Sequence, residues 1–530
     1  MRKPVLLLIL FSFCFSFSSI SCKKTADENS KLPLSSGYSS KVQSLTPFDS
    51  TLVNSFFIKY HELKKYQQET TELYQKRNYQ YIWFDTKGML EVSHLLYNKL
   101  NNMEDDGIKA TIPYKEKLDA LFLNATENQK ATVNNELLLT SLYFFYTQKV
   151  LKGIDDKKIA ELGWYLPRKK KSYVSYLDSI IANPSLINKN EKEVLGQYYN
   201  LKEVLQKYRK IQKDNSWSPI ALDSSTTALK LGDSSQTIAQ IRQRLYIFED
   251  LSADSKSAIY DDVLAAGIVK YQNRNGLLEN PIITKKIIAS LNVPIEDRIK
   301  TITVNMERCR WIDVDVAKAK ELIVVNIPSY RLTYFKDGKP VLISNVVVGK
   351  DMNKTVIFSA DMRYIVFSPY WNVPTSIIKK EIKPGIAKNP NYLSQHNMEW
   401  YNGGIRQKPG SKNSLGLVKF LFPNNNSIYL HDTPSKNLFN EEKRAFSHGC
   451  IRVAKPVELA NEILKDDKNW TPAKIDAAMH KGKETWYTLK NKIPVYIGYF
   501  TAWVDDEGAI HFYDDVYQRD DRLATMLFEE

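Results

Sequence analysis

Two histidines and a cysteine, gathered in one polar stretch, carry the reactive chemistry of this sequence. The stretch reads His431-Asp432-Thr433-Pro434, a polar loop, then Ser447-His448-Gly449-Cys450-Ile451-Arg452. The whole chain holds seven histidines and four cysteines, so the grouping is not a matter of abundance. Cys450 can meet His431 if a strand ends at His431 and the loop turns back. Ile428-Tyr429-Leu430 supplies that strand, three apolar residues of β-forming type. Cys450 follows a glycine and precedes Ile451 and Val453, which places it where a loop re-enters the core. Gly449 lets the backbone pack closely or take positive φ there. Thiol and imidazole make a nucleophile–base pair. A free thiol is mostly protonated at neutral pH, so an adjacent imidazole helps to generate the thiolate. The backbone N–H groups around Gly449-Cys450 are the best local donors for a tetrahedral oxyanion.

Three other readings compete. Cys450 could be a buried structural cysteine flanked by two surface histidines. His431, Asp432, His448 and Cys450 are all possible zinc ligands. Their spacing fits no common zinc pattern, however, and no C-x-x-C or H-E-x-x-H accompanies them. A papain-like peptidase places its cysteine before the base histidine, the reverse of the order here. The thiol chemistry itself needs no metal and no cofactor.

The stretch resembles the catalytic signature of the L,D-transpeptidases of the YkuD family: a His-Xaa-Thr strand end, a loop, then Ser/Thr-His-Gly-Cys, an apolar residue and Arg or Asn. His431, Thr433, Ser447, His448, Gly449, Cys450 and Arg452 fall on it. The resemblance implies a cysteine acyltransferase with Cys450 as nucleophile and His431 as base. It makes His448 a residue that lines and shapes the site, and gives the Asp432 carbonyl the task of orienting the imidazole. The substrate so implied is the peptidoglycan stem peptide: Cys450 forms a thioester with the third residue of a diaminopimelate-containing tetrapeptide, releases D-Ala, and passes the acyl group to an acceptor amine. Water as acceptor would make an L,D-carboxypeptidase, and a protein amine a protein-to-wall transpeptidase. Carbapenem acylation of Cys450 is a further implication. A non-enzymatic alternative is a lipid-tethered peptidoglycan-binding scaffold with a vestigial site. Arg452 suits a substrate carboxylate or a structural ion pair, and Tyr370, Trp371 and Asn372 are candidates to line the cleft. The sequence does not identify the acceptor, protein partners, oligomeric state or physiological role.

The elements that must position these residues belong to a long chain. At 530 residues it exceeds one ordinary domain, and 43% hydrophobic residues suffice for real cores. The N-terminus reads as a signal peptide, residues 1–21, with Arg2 and Lys3 before the apolar run Val5 to Phe17. Ser19-Ile20-Ser21-Cys22 resembles a lipobox, which implies a lipid anchor on Cys22. Export to the periplasm, with membrane contact through that anchor only, follows. Cys309 and Cys450 then remain in the folded part, too few for a disulfide scaffold. Cys309, within Glu307-Arg308-Cys309-Arg310-Trp311, reads as structural. The net charge of +14 suits an anionic cell wall or membrane. Export and the lack of any nucleic-acid motif argue against nucleic acid.

Fold class is multidomain α+β. Residues 22–54 form a tether rich in Ser, Lys and Thr. Residues 55–215 are an all-α scaffold whose stretch Leu137 to Val150 is a buried helix. Its Leu73, Tyr74, Arg77, Tyr79, Trp83 and Asp106-Gly107-Ile108 resemble the scaffold of the larger YcbB-type members. Residues 227–295 resemble a three-helix peptidoglycan-binding module, although Asp250 to Asp262 lacks the usual glycine-rich loop. The catalytic domain, 305–524, is entered at Asn305-Met306-Glu307-Arg308. Leu322 to Asn326 and Tyr330 to Phe335 are strands, and Asp337-Gly338 is a hairpin turn leading to Val341–Val348. The short strands suggest a β-sandwich-like domain, with Pro494 to Gly508 as its final hairpin. Between about 375 and 412 the strand pattern lapses, where the resemblance implies a cap insertion. Pro456 to Leu464 and Thr471 to His480 are helices, the second capped by Thr471 with Pro472 at its first position.

Overall fold

The computed structural model describes residues 45–123, 131–168, 171–183, 186, 194–214, 218–222 and 226–528. The signal segment 1–21, the proposed lipid site Cys22 and most of the tether lie outside the described residues. The helical part is built round Val133–Tyr146, whose residues Glu136 to Tyr146 are all buried and whose first turn is capped by the Thr132 hydroxyl. The one carboxylate in that buried run, Glu136, accepts hydrogen bonds from the Ile82 and Trp83 backbone and from the Tyr74 hydroxyl. That supply of donors is what allows an acid to sit in an apolar core.

The helix Ile295–Arg310 joins the helical and β parts. Its Glu307 is fully buried and accepts from Ile154 N, Trp311 Nε1 and Arg310, each at 2.8 Å. Arg310 reaches back to the carbonyls of Val150 and Asp106. On the other side Asn305 exchanges two hydrogen bonds with Thr501. The segment Asn305 to Arg308 thus lies inside a helix that begins ten residues earlier. Residues 227–295 contain helices Gln236–Ile247, Asp262–Arg274 and Lys285–Leu291 and a two-stranded pairing of Ala228–Leu229 with Ile283–Thr284. One continuous apolar core runs from Phe48 to Ala524.

The β part is a closed ring rather than the expected sandwich. Its strands are β1 Glu321–Asn326, β2 Arg331–Lys336, β3 Lys339–Gly349, β4 Ile357–Phe367, β5 Val418–Leu421, β6 Leu430–His431, β7 Ile451–Val453 and β8 Thr485–Gly498. Neighbours run β4-β5-β6-β7-β3-β2-β1-β8, and β8 returns to β4. Closure depends on β4 and β8 being long enough to serve two neighbours. The register of β8 shifts between Thr488 and Ile493, a bend that strand alternation does not encode. Pro494 to Ile497 therefore ends β8, parallel to β1. The terminal hairpin is formed instead by Ala502–Val504 and Ile510–Phe512. Trp164–Tyr165 of the helical part extends the sheet alongside β4. Inward positions such as Val325, Leu332, Val348, Phe420, Leu430, Ile451 and Val495 are fully buried.

Between β4 and β5 the chain leaves the ring. Trp371–Asn372, Gly404–Gln407 and Met398–Tyr401 make a separate three-stranded sheet. With the helical turns of Thr375–Lys388 it encloses its own core of Val373, Ile377, Ile378, Ile382, Met398 and Ile405. Among the described residues no helix is long and apolar enough to cross a membrane.

Candidate active site

Strand pairing brings the reactive residues together. β6 and β7 run parallel, with Leu430 beside Ile451 and His431 beside Arg452. Leu430 and Ile451 point into the core, so Tyr429, His431, Cys450 and Arg452 share the outer face. β5 crosses on the other side of β6 and sets Lys419 directly opposite His431. The imidazole is thus flanked by a cation on each side.

His431 is 5% exposed. Its Nδ1 lies 2.5 Å from the Asp432 carbonyl, so Nδ1–H donates and Nε2 keeps its lone pair. Burial first, then the Arg452 charge and more weakly Lys419, push the imidazole down to about 4, against the opposing pull of Asp432. The Asp432 carboxylate accepts from Leu417 N, Thr433 N and Lys436. Thr433 is buried and its hydroxyl accepts from Ser435 N.

Cys450 is partly exposed, and both it and Cys309 are free thiols. Cys309 is fully buried. The Cys450 thiol donates to the Ser427 carbonyl at 3.6 Å rather than to His431. Burial raises the thiol above its ordinary range, while hydrogen bonding with Tyr429 and the Arg452 charge pull it back. The loop before it is pinned. Ser447 Oγ donates to the Cys450 carbonyl at 2.5 Å and accepts from Gly449 N at 3.1 Å. Thr355 Oγ1 donates to the Gly449 carbonyl at 2.9 Å, and Gly449 takes φ +117°. Tyr517 supports this brace, donating to the Gly349 carbonyl and accepting from Thr355 N. The Gly449 N–H is therefore engaged by Ser447. The Cys450 N–H forms no such bond among the described residues.

Other expected residues separate. His448 is exposed and its Nε2 lies 2.9 Å from Glu381 of the segment outside the ring. It bridges to that segment rather than to the thiol. Arg452 forms no ion pair among the described residues, and its Nε is buried without a partner. Tyr370 stacks on Arg406 at 4.2 Å, and its N–H and carbonyl meet Glu484 and Lys419. Trp371 is partly buried against the separate core of that segment. Asn372 is exposed and pairs with Arg406 on the separate sheet. Among the described residues no group of three His, Cys, Asp or Glu could hold a metal ion; His448 and Asp432, two ligands of the zinc reading, are engaged elsewhere.

Lys419 and Tyr429 were missed in the sequence. Tyr429 could have been found, because it stands two residues before His431 and a strand repeats its face every second residue. Lys419 carried no signal, since its place depends on the pairing of β5 with β6.

Residues 320–488 match the family model of the YkuD L,D-transpeptidase catalytic domain, and residues 68–205 match that of a scaffold domain. The chain is thus similar, over these two segments, to large YkuD-type proteins that join such domains. A Haemophilus influenzae protein provisionally described as an L,D-transpeptidase is 33% identical over 229 residues, covering 39% of this chain. The chain spans about half the length of that relative, 46%. Among solved structures, the Xylanimonas cellulosilytica L,D-transpeptidase (residues 123–326) is 12% identical, covers 52% of this chain and all of that one, and has a TM-score of 0.19. An L,D-transpeptidase from Mycobacterium smegmatis is 13% identical over 34% of this chain and 58% of its own, with a TM-score of 0.20. At such TM-scores the fold rests on the ring itself and on the family models.

Proposed function

We propose that the protein is a peptidoglycan L,D-transpeptidase working through a thioester on Cys450. The observation that carries this reading is the shared outer face of β6 and β7. It sets a neutral, oriented imidazole beside an accessible thiol, with Nδ1–H committed to a carbonyl and Nε2 free to take a proton. A resting thiol that has not yet met its base is common before substrate arrives.

When the donor stem binds, the Cys450 thiol turns from Ser427 to His431 Nε2 and gives up its proton. The sulfur attacks the carbonyl of the third stem residue, forming the C–S bond. The oxyanion takes hydrogen bonds from the Cys450 N–H and the Tyr429 hydroxyl. His431 returns the proton to the leaving amine as the C–N bond breaks and D-Ala departs. An acceptor stem amine then attacks the thioester, loses its proton to His431 and releases Cys450. Arg452, unpaired beside the site, holds a substrate carboxylate. The diaminopimelate donor follows from the family resemblance. The segment of about 375–412 acts as a cap held by the His448–Glu381 contact. Residues 227–295 serve as a peptidoglycan-binding-like module, and Cys22 tethers the exported chain to a membrane by lipid.

The test is mass spectrometry of tetrapeptide muropeptides after incubation with the protein. Dimers linked between third residues are expected with the wild type and absent with Cys450→Ala. Cross-linking retained by Cys450→Ala would remove the cysteine from the mechanism, and tripeptide alone would make water the acceptor. His431→Ala is expected to slow acylation by about 100-fold or more.

A further inference from the structure

A cavity of about 330 Å³ lies on the far side of the Gly449 brace, between the turn at residues 161–164, the end of helix Ile295–Arg310 and the helix Asp520–Phe528. Four cations line it, Arg308, Lys354, Arg519 and Arg522, against the single carboxylate of Glu161. Arg308 is neutralised by Asp520 at 2.7 Å and Lys354 by Asp351 at 3.0 Å. Arg519 and Arg522 form no ion pair among the described residues. Their guanidinium groups rest on backbone carbonyls, Arg519 on Leu162 and Arg522 on Glu161. Asp515, nearby in sequence, spends its oxygens on the Tyr499 hydroxyl and the backbone N–H groups of Arg519 and Asp520.

Two donors of this wall are unmet, and the one unmet acceptor near it, Asp520 Oδ1, is held by the ion pair with Arg308. Trp164 is 4% exposed and its indole N–H has no partner; the Nε of Arg519 is buried without one. A buried donor left unpaired destabilises the fold that holds it. Gly163 takes φ +70°, and a Cβ there would stand 3.3 Å from an Arg519 terminal nitrogen, so a side chain at this turn would crowd the guanidinium. Donors without acceptors, beside two cations that form no ion pair, call for an acceptor that carries negative charge.

We propose that this cavity binds a phosphate group, either free or as the end of a monoester. A planar carboxylate satisfies one guanidinium fork. A tetrahedral dianion presents oxygens toward several walls at once and suits the two guanidinium groups that form no ion pair. The acyl transfer at Cys450 makes no use of these residues, so the site stands or falls apart from that reading.

The test is titration calorimetry on the full chain in phosphate-free buffer, with inorganic phosphate, glycerol 3-phosphate and acetate as separate probes. Saturable one-to-one binding of a phosphate probe is expected. Arg519→Gln and Arg522→Gln should each weaken it by at least about tenfold, with acetate binding far more weakly. Tighter glycerol 3-phosphate would identify a monoester as the ligand, and tighter inorganic phosphate the free ion. Arg522 is at the exposed rim, so Arg522→Gln should melt with the parent and remain informative even if Arg519→Gln misfolds. No saturable heat with either phosphate probe, unchanged affinity in Arg522→Gln, or equal binding of acetate would overturn the proposal.

Discussion

Arg452 stands directly beside His431 in the parallel ladder of β6 and β7, and nothing among the described residues neutralises it. A cation next to a buried base is unfavourable to imidazolium and keeps the histidine ready to accept a proton. Replacing Arg452 by Met should therefore raise the His431 pKa from about 4 by roughly one unit. Burial, the larger cause, remains, so the ordinary histidine value should not be regained. Imidazole NMR titration of the wild type and Arg452→Met would check this. An unmoved titration would mean that Arg452 is screened from the ring.

The pH profile of acylation follows from the same shifts. His431 stays a neutral base at every pH above about 4, and the Cys450 thiol is pushed above its usual range. Acylation by a carbapenem, followed by intact mass, should show no inflection near pH 6.5, declining only as pH approaches 4. The sign for stability is the reverse of a salt-bridged histidine. Between pH 6.5 and 4 the unfolded chain binds a proton at His431 that the folded chain refuses, so the fold loses stability as pH falls. The loss is roughly 3 kcal/mol over the whole window. An acid limb at pH 6.5 would show that His431 titrates as an ordinary histidine.

Tyr429 shares the outer face with Cys450, and burial followed by the Cys450 charge holds its phenol protonated well beyond the usual range. A protonated hydroxyl at this position can donate to an oxyanion. Removing one such donor typically costs about 100-fold or more in rate. Tyr429→Phe should lose about that much in acylation while keeping its ring contact with His431, 5.7 Å between centroids, and hence its melting temperature. Wild-type acylation by Tyr429→Phe would leave the Cys450 N–H as the sole local donor.

The parts of this architecture set by local chemistry were legible in the sequence. Asp337-Gly338 turns β2 into β3 with both residues at positive φ. Thr471 caps the helix Pro472–His480 through its hydroxyl. The Ser447-to-Arg452 stretch leads into β7, beside the strand that ends at His431. What the sequence concealed depends on partners far away in the chain. Thr355 reaches Gly449 across 94 residues, and Tyr517 reaches Gly349 across 168. Neither has a local pattern to announce it. Closure of the ring was hidden for a related reason: β8 had to bend between Thr488 and Ile493, and alternation records faces rather than bends.

Gly416 shows how tightly the base is held. It takes φ +62°, and a Cβ built there would lie 2.2 Å from Asp432 Oδ2 and 2.3 Å from its Cγ. Asp432 cannot step aside, because its carboxylate is fixed by Leu417 N, Thr433 N and Lys436. Its own carbonyl is the group that orients His431. Gly416→Ala must therefore strain the left-handed turn, worth about 1 kcal/mol or more, and also displace the carboxylate from at least one backbone donor, worth roughly another 1–3 kcal/mol. A drop of several degrees in melting temperature is expected, together with slower acylation as the imidazole loses its anchor. Adding Asp432→Ala removes the clashing carboxylate but leaves its Cβ 2.5 Å from the new one, so the clash is relieved in part and the double variant should lose less than the sum of the two single changes. Strict additivity in that cycle, or a Gly416→Ala protein that melts with the parent, would mean that the Asp432 turn yields freely and does not fix the base.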